Sequence, residues 1–167
     1  MATRRPQRVP STISGQVNHH FTPPQGSGVA LLRNELQRNQ VMLSRELADG
    51  LPIIAGDRVQ LQQVILNLLL NASQAVRGVS DRPRKLVVRT ESDEPDHVRI
   101  SVKDSGVGLE PQFVNKLFQP FYTTKSSGMG IGLSVSRSII ERRRGRMWAS
   151  ANEGLGATFS FSIPCSP

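Results

Sequence analysis

The order of periodic segments in this chain predicts a two-layer α/β domain, with helices on one face of a mixed sheet. Three observations carry the prediction. Leu61, Ile65, Leu68, Leu69, Ala72 and Val76 recur at helical spacing. Two apolar runs, Leu86–Arg89 and Val98–Val102, flank an acidic turn at Ser92–Asp96 and read as a hairpin. A further helical segment leads into two more strand-like runs near the C-terminus. A chain of 167 residues accommodates one such domain plus a tail and can bury a core without disulfides or a structural metal.

In chain order, residues 1–28 hold Pro6, Pro10, Pro23 and Pro24, show almost no apolar periodicity, and read as a linker or a non-native remnant. The domain is expected over 29–164, with 165–167 as a tail. Leu31, Leu32 and Leu36 suggest a short helix from Val29; Val41 and Leu43 suggest a strand, and Ile53 and Ile54 a second short one. Asp57 is suited to cap the long helix, whose end falls near Gly78. After the hairpin come a glycine-rich stretch at 104–108, a Phe- and Pro-containing segment and a second glycine cluster at 128–132. A helix from about Ile131 to Arg144 and strands around Met147–Ala149 and Thr158–Ile163 complete the domain.

The net charge of +8 raises nucleic-acid binding, but its distribution argues against it. The excess sits in Arg4, Arg5 and Arg8 and in Arg142, Arg143, Arg144 and Arg146, where a cationic run suits the negative end of a helix. One Trp and one Tyr offer little for base stacking. The single Cys165 has no partner, which suits a reducing, cytosolic setting. No stretch approaches the roughly 18 to 20 apolar residues of a membrane span, and no secretory signal is visible, so no membrane contact is expected of these residues.

On the long helix, Asn67 and Asn71 stand four residues apart and share a polar stripe with Gln60, Gln63 and Gln74. Either these amides merely face solvent, or they hold a magnesium ion whose remaining charge is supplied by substrate phosphates. Asp104 continues the inward-facing set of Val98, Ile100 and Val102, which puts a carboxylate at the mouth of the core. Such a group needs hydrogen-bond donors, and the exocyclic amine of adenine is one. Gly106 and Gly108 clear space where a flat base would approach, although an ordinary Asp-Ser-Gly turn has the same sequence. Gly128, Gly130 and Gly132 run into a helix start, where free N–H groups attract phosphate. The pattern is neither a GxxxxGK[ST] loop nor a GxGxxG turn after a strand.

Taken in order, these segments resemble the boxes of sensor histidine kinases. Gln63 to Ala72 resembles the N box, Asp104 to Gly108 the first glycine box, Leu117 to Lys125 the F box, Gly128 to Leu133 the second glycine box, and Glu153 to Phe159 a third glycine element. The resemblance spans residues 57–163 and extends back to about residue 29; its short F-box-to-glycine spacing is most similar to the oxygen- and nitrogen-sensing types. It implies a Bergerat ATP-binding fold, shared with gyrase, Hsp90 and MutL, with a mobile lid over ATP. It further implies that Asp104 binds adenine, with Gly106, Gly108 and Thr158 among the nucleotide-binding residues. Asn67 and Asn71 would sit at Mg2+ and phosphate, Phe118 and Phe121 would anchor the lid, and Lys125 and Gly128, Met129, Gly130, Ile131, Gly132 and Leu133 would face the nucleotide. The two Phe rings have plain core as their alternative, and Lys125 a solvated charge. Two departures stand out. Gln74 occupies a position where many relatives have Lys, so a phosphate cation is either missing or supplied by Lys125. Glu141-Arg-Arg-Arg-Gly145 replaces a more usual His-Gly-Gly ending.

Related ATPases place a Glu where this chain has Asn67, and a carboxamide has no useful basicity near neutral pH. The implied activity is therefore histidine phosphorylation, with Asn67, Asn71 and Lys125 as the catalytic set. No acceptor is expected within the chain: Pro23 and Pro24 forbid a long helix after His19, His20 stands where an acid is needed, and His97 falls in the hairpin. The implied partners are a dimerisation and phosphoacceptor hairpin of the same kinase and a response regulator. The fragment would be monomeric and the full-length kinase homodimeric. The alternatives are a serine or protein kinase or ATPase of the same fold, or a degenerate nucleotide-binding interaction module.

Overall fold

The computed structural model describes residues 27–54, 56–123 and 129–166. Helices α1 (Ser27–Arg38), α2 (Arg58–Ala75) and α3 (Gly132–Glu141) accompany strands β1 (Met42–Leu47), β2 (Lys85–Asp93), β3 (His97–Asp104), β4 (Arg146–Ala151) and β5 (Ala157–Pro164). A 3-10 segment, Pro111–Lys116, lies between β3 and α3. The strands form one sheet in the order β1-β2-β3-β5-β4. β1 and β2 are parallel, joined through α2, and every other pairing is antiparallel. The sheet is thus mixed, as the sequence leads one to expect.

Asp57 starts α2 by accepting the N–H groups of Val59 at 2.7 Å and Gln60 at 3.2 Å, which would otherwise be orphan donors. The apolar stripe of α2 buries Leu61, Val64, Ile65, Leu68, Leu69 and Ala72. Against it lie Leu86 and Val88 of β2, Val98, Ile100 and Val102 of β3, Met147 and Ala149 of β4, and Phe159, Phe161 and Ile163 of β5. Register keeps these on one face: Ile100 pairs Phe161, Val102 pairs Phe159, and Phe161 in turn pairs Met147. The same alternation places Asp104, opposite Leu86, at the end of the buried row. The other face is polar. There Arg99 and Arg146 both lie over the Trp148 ring, at 5.5 and 5.0 Å, and both pair with the buried Asp93.

Several boundaries differ from expectation for local reasons. Val41 precedes β1, its N–H bonding Leu36 O at 2.9 Å to close α1. Ile53 and Ile54 form no strand; Ile54 makes one isolated bridge to Cys165, with Pro52 and Gly56 interrupting the extended backbone on either side. Cys165 also donates its N–H to Asp96 O at 2.6 Å. α2 ends at Ala75, short of Gly78, with the Val76 N–H on Ala72 O. Ser92 and Asp93 belong to β2, so the turn is only Glu94–Asp96, where Glu94 and Asp96 take positive φ. α3 stops at Glu141: Arg144 enters the left-handed region at φ 58° and Gly145 returns its N–H to Ile140 O at 3.0 Å. Gly145 packs against the Ser162 carbonyl, where a side chain has no room, and Arg143 donates to Gln60 Oε1 at 2.9 Å. The arginine run therefore closes one helix and ties it to another.

Candidate functional site

Asp104 is 2% exposed, and its two oxygens have different surroundings. Oδ1 accepts the Gly106 N–H at 2.8 Å and the Ala157 N–H at 3.3 Å. Oδ2 is buried with no hydrogen-bond partner. Burial pushes the carboxyl above the usual aspartate range, and the two backbone N–H groups offset this only in part. A buried acceptor of this kind can take a donor from a ligand.

The walls around it are backbone. Gly106 lies against the C-terminal end of α2, where an added Cβ would stand 2.7 Å from Ala75 O. Gly108, at φ 90°, and Gly156, at φ 96°, face one another, and a Cβ at Gly156 would overlap the Asp104 carbonyl oxygen. Asn152 donates to that carbonyl at 2.9 Å and accepts the Thr158 hydroxyl at 2.6 Å. Thr158 pairs with Lys103 beside the carboxylate, and Asn152 links its hydroxyl to the Asp104 carbonyl; the sequence reading missed Asn152, which only its place beside the third glycine element marks.

Along α2, Asn67 donates to Ser136 Oγ at 3.2 Å and to Gly132 O at 3.5 Å, and accepts from Gln63 at 3.0 Å. The amide is thereby fixed against the start of α3. Asn67, Asn71 and Gln74 form one wall of a cleft of about 320 Å³, with Leu117, Tyr122 and Thr123 and the loop Met129 to Leu133 opposite. Gly130 takes φ 65° and presses on the backbone of Phe121 and Tyr122, with the Phe121 N–H donating to Gly130 O at 3.0 Å. The F box and the second glycine box are stitched together here by main chain. Phe118 is buried and edge-on to Phe159 at 6.4 Å, whereas Phe121 is 77% exposed, so only the first of the two packs into the core. Lys125 and Gly128 lie outside the described residues. Ser136 and Tyr122 were not singled out from the sequence; Ser136 carries no motif signal beyond its helical spacing from Gly132. A larger hollow of about 610 Å³ on the polar sheet face holds none of the paired amides.

Paired neutral amides facing a glycine-rich helix start, with a buried acceptor at the far end of the same helix, suit a nucleoside triphosphate. The model of the histidine kinase-, DNA gyrase B- and HSP90-like ATPases matches residues 56–167. The chain belongs to this family. Within it, this is the ATP-binding catalytic domain of the sensor histidine kinase type, with the Bergerat fold. Sensor protein FixL of Bradyrhizobium diazoefficiens is 43% identical over 78% of this chain and 25% of its own length. Sensor histidine kinase TmoS of Ectopseudomonas mendocina is 39% identical over 81% of this chain and 14% of its own. The chain therefore spans about a quarter or less of these relatives. A nucleotide-free catalytic domain of histidine kinase ThkA superposes with TM-score 0.69 at 32% identity, covering 82% of this chain and 87% of that one.

Proposed function

We propose that this domain transfers the γ-phosphoryl of Mg-ATP to a histidine on a separate dimerisation hairpin, in two-component signalling. The observation that carries the reading is the Asn67 amide, locked between Gln63 and Ser136 at the position where an ATPase of this fold needs a carboxylate. A neutral amide takes no proton from water, so ATP is held for transfer and not hydrolysed. Asp104 receives the adenine amine, Phe118 anchors the lid, and the loop Gly128 to Leu133, with Lys125, meets the phosphates. A magnesium ion would supply charge neutralisation during transfer. The oxygens of Asn67 and Asn71 suit it as hard neutral donors, provided Gln63 releases the Asn67 oxygen. Among the described residues no helix is long and apolar enough to cross a membrane, and we place the domain in the cytosol. ThkA has been solved with the response regulator TrrA; a response regulator is the partner we propose here, with a homodimeric full-length kinase and a monomeric isolated domain.

The test is radiolabelled ATP with the domain alone, with a matching hairpin, and with that hairpin's histidine replaced. Acid-labile label on the intact hairpin only, and little phosphate release without it, is expected. The free hairpin lacks the effective concentration of a covalent link, so transfer will be slow. Label on the isolated domain, or brisk hydrolysis, would overturn the Asn67 argument.

Asn71→Ala leaves the apolar stripe of α2 intact and removes an oxygen from the cleft wall. Magnesium-dependent ATP affinity should fall at least ten- to a hundredfold with an unchanged circular dichroism spectrum. Equal affinity in calorimetry would take Asn71 out of the site.

A further inference from the structure

We infer that Arg82, in the connection between α2 and β2, is a positioning residue for base recognition, an inference that rests on the Asp104 reading. Its Nε donates to Ser105 O at 3.1 Å and its Nη2 to Gly106 O at 2.9 Å. Nη1 is held by both carboxylate oxygens of Asp81, at 2.8 and 2.9 Å. A planar guanidinium fork suits two successive carbonyls in a way that an ammonium does not.

The peptide it grips is the decisive one. Ser105 C=O and Gly106 N–H belong to the same planar unit, and that N–H donates to Asp104 Oδ1 at 2.8 Å. Arg82 at one end and the Asp104 carboxylate at the other therefore fix the rotation of a single peptide, and each bond polarises the next. With Oδ1 so occupied, Oδ2 is left for the ligand. The neighbouring chain reinforces the clamp: Ser105 Oγ accepts the Lys85 N–H at 2.9 Å and donates to Pro83 O at 3.0 Å. Because the clamp starts from the residues that follow α2, the base end of the site is referenced to the helix that carries Asn67 and Asn71.

The experiment measures ATP and GTP affinity by calorimetry for the whole chain, Arg82→Ala, Arg82→Lys and Asp104→Asn, with thermal unfolding of each. Arg82→Ala should lose about tenfold in ATP affinity, GTP affinity should change less than about twofold, and Arg82→Lys should fall between. The preference for ATP then collapses. Parallel loss of ATP and GTP binding would mean a merely structural role and overturn the proposal, as would unchanged ATP affinity in Arg82→Ala beside a loss in Asp104→Asn. Loss of preference in Arg82→Ala with none in Asp104→Asn would overturn the Asp104 reading and, with it, the route by which Arg82 is argued to act. If Arg82→Ala does not fold, unchanged purine preference in a folded Arg82→Lys overturns the proposal.

Discussion

Asp104→Asn should weaken ATP binding roughly ten- to more than a hundredfold while leaving the nucleotide-free domain as stable as before, or more so. The two effects have opposite signs because, on the proposed function, the carboxylate serves a ligand at a cost to the fold. Losing a charge-assisted hydrogen bond from the adenine amine is worth about 1.5–3 kcal/mol, which gives the affinity range. Without ligand, Asp104 is buried and its folded pKa is raised above the unfolded value. For an acid this means that its contribution to stability is present below the unfolded pKa and is lost as pH rises through the folded pKa. Above the unfolded pKa the carboxyl therefore opposes folding, and asparagine removes that opposition while still accepting from Gly106. Wild-type ATP binding should also release protons at pH values near the raised pKa, since a donor at Oδ2 favours the ionised form. Calorimetry in buffers of differing ionisation enthalpy, with thermal unfolding of both proteins, makes the comparison. Equal ATP and GTP affinity in the wild type would remove Asp104 from base recognition.

Gly156→Ala should cost about 3 kcal/mol and lower the unfolding midpoint by roughly 6–12 °C. The left-handed φ of 96° alone disfavours a side chain by about 1–2 kcal/mol. The new Cβ would also overlap the Asp104 carbonyl, forcing β5 away from the end of β3. That movement withdraws the Ala157 N–H from Asp104 Oδ1 and disturbs Asn152, so nucleotide affinity should fall with stability. Gly154, also at positive φ but with open space around it, separates the two causes: Gly154→Ala should show only the backbone cost. A Gly156→Ala midpoint within about 2 °C of Gly154→Ala would show that the close approach is not what selects glycine.

How legible was this in the sequence? Where periodicity and chemistry agreed, the residues sufficed: the α2 stripe with Asp57 as its cap, and Asp104 as the inward end of β3. The mixed sheet followed from element order, but the pairing of β3 with β5 across some sixty residues did not, because long-range register leaves no local mark. The arginine run read as a solvated helix end, yet Arg143 holds Gln60 and Arg144 supplies the left-handed cap, both properties of the packed helices. Asn152, Ser136 and Arg82 escaped notice for a related reason. Each acts through one hydrogen bond or a few to residues far along the chain. Phe118 and Phe121 look alike in the sequence, and only packing separates the buried ring from the exposed one.

Asp104 receives one of its two N–H donors from Ala157, and its strand partner, β5, ends at Pro164. During synthesis the paired amides of α2 leave the ribosome nearly a hundred residues ahead of that strand. Parallel and long-range strand pairings are slow to form, and a domain's late segments dock last. A nascent chain therefore does not hold ATP at the base end until β5 has emerged. In cells rich in nucleotide, the ligand rewards only the finished domain, and chains truncated before Ala157 gain none of its stabilisation.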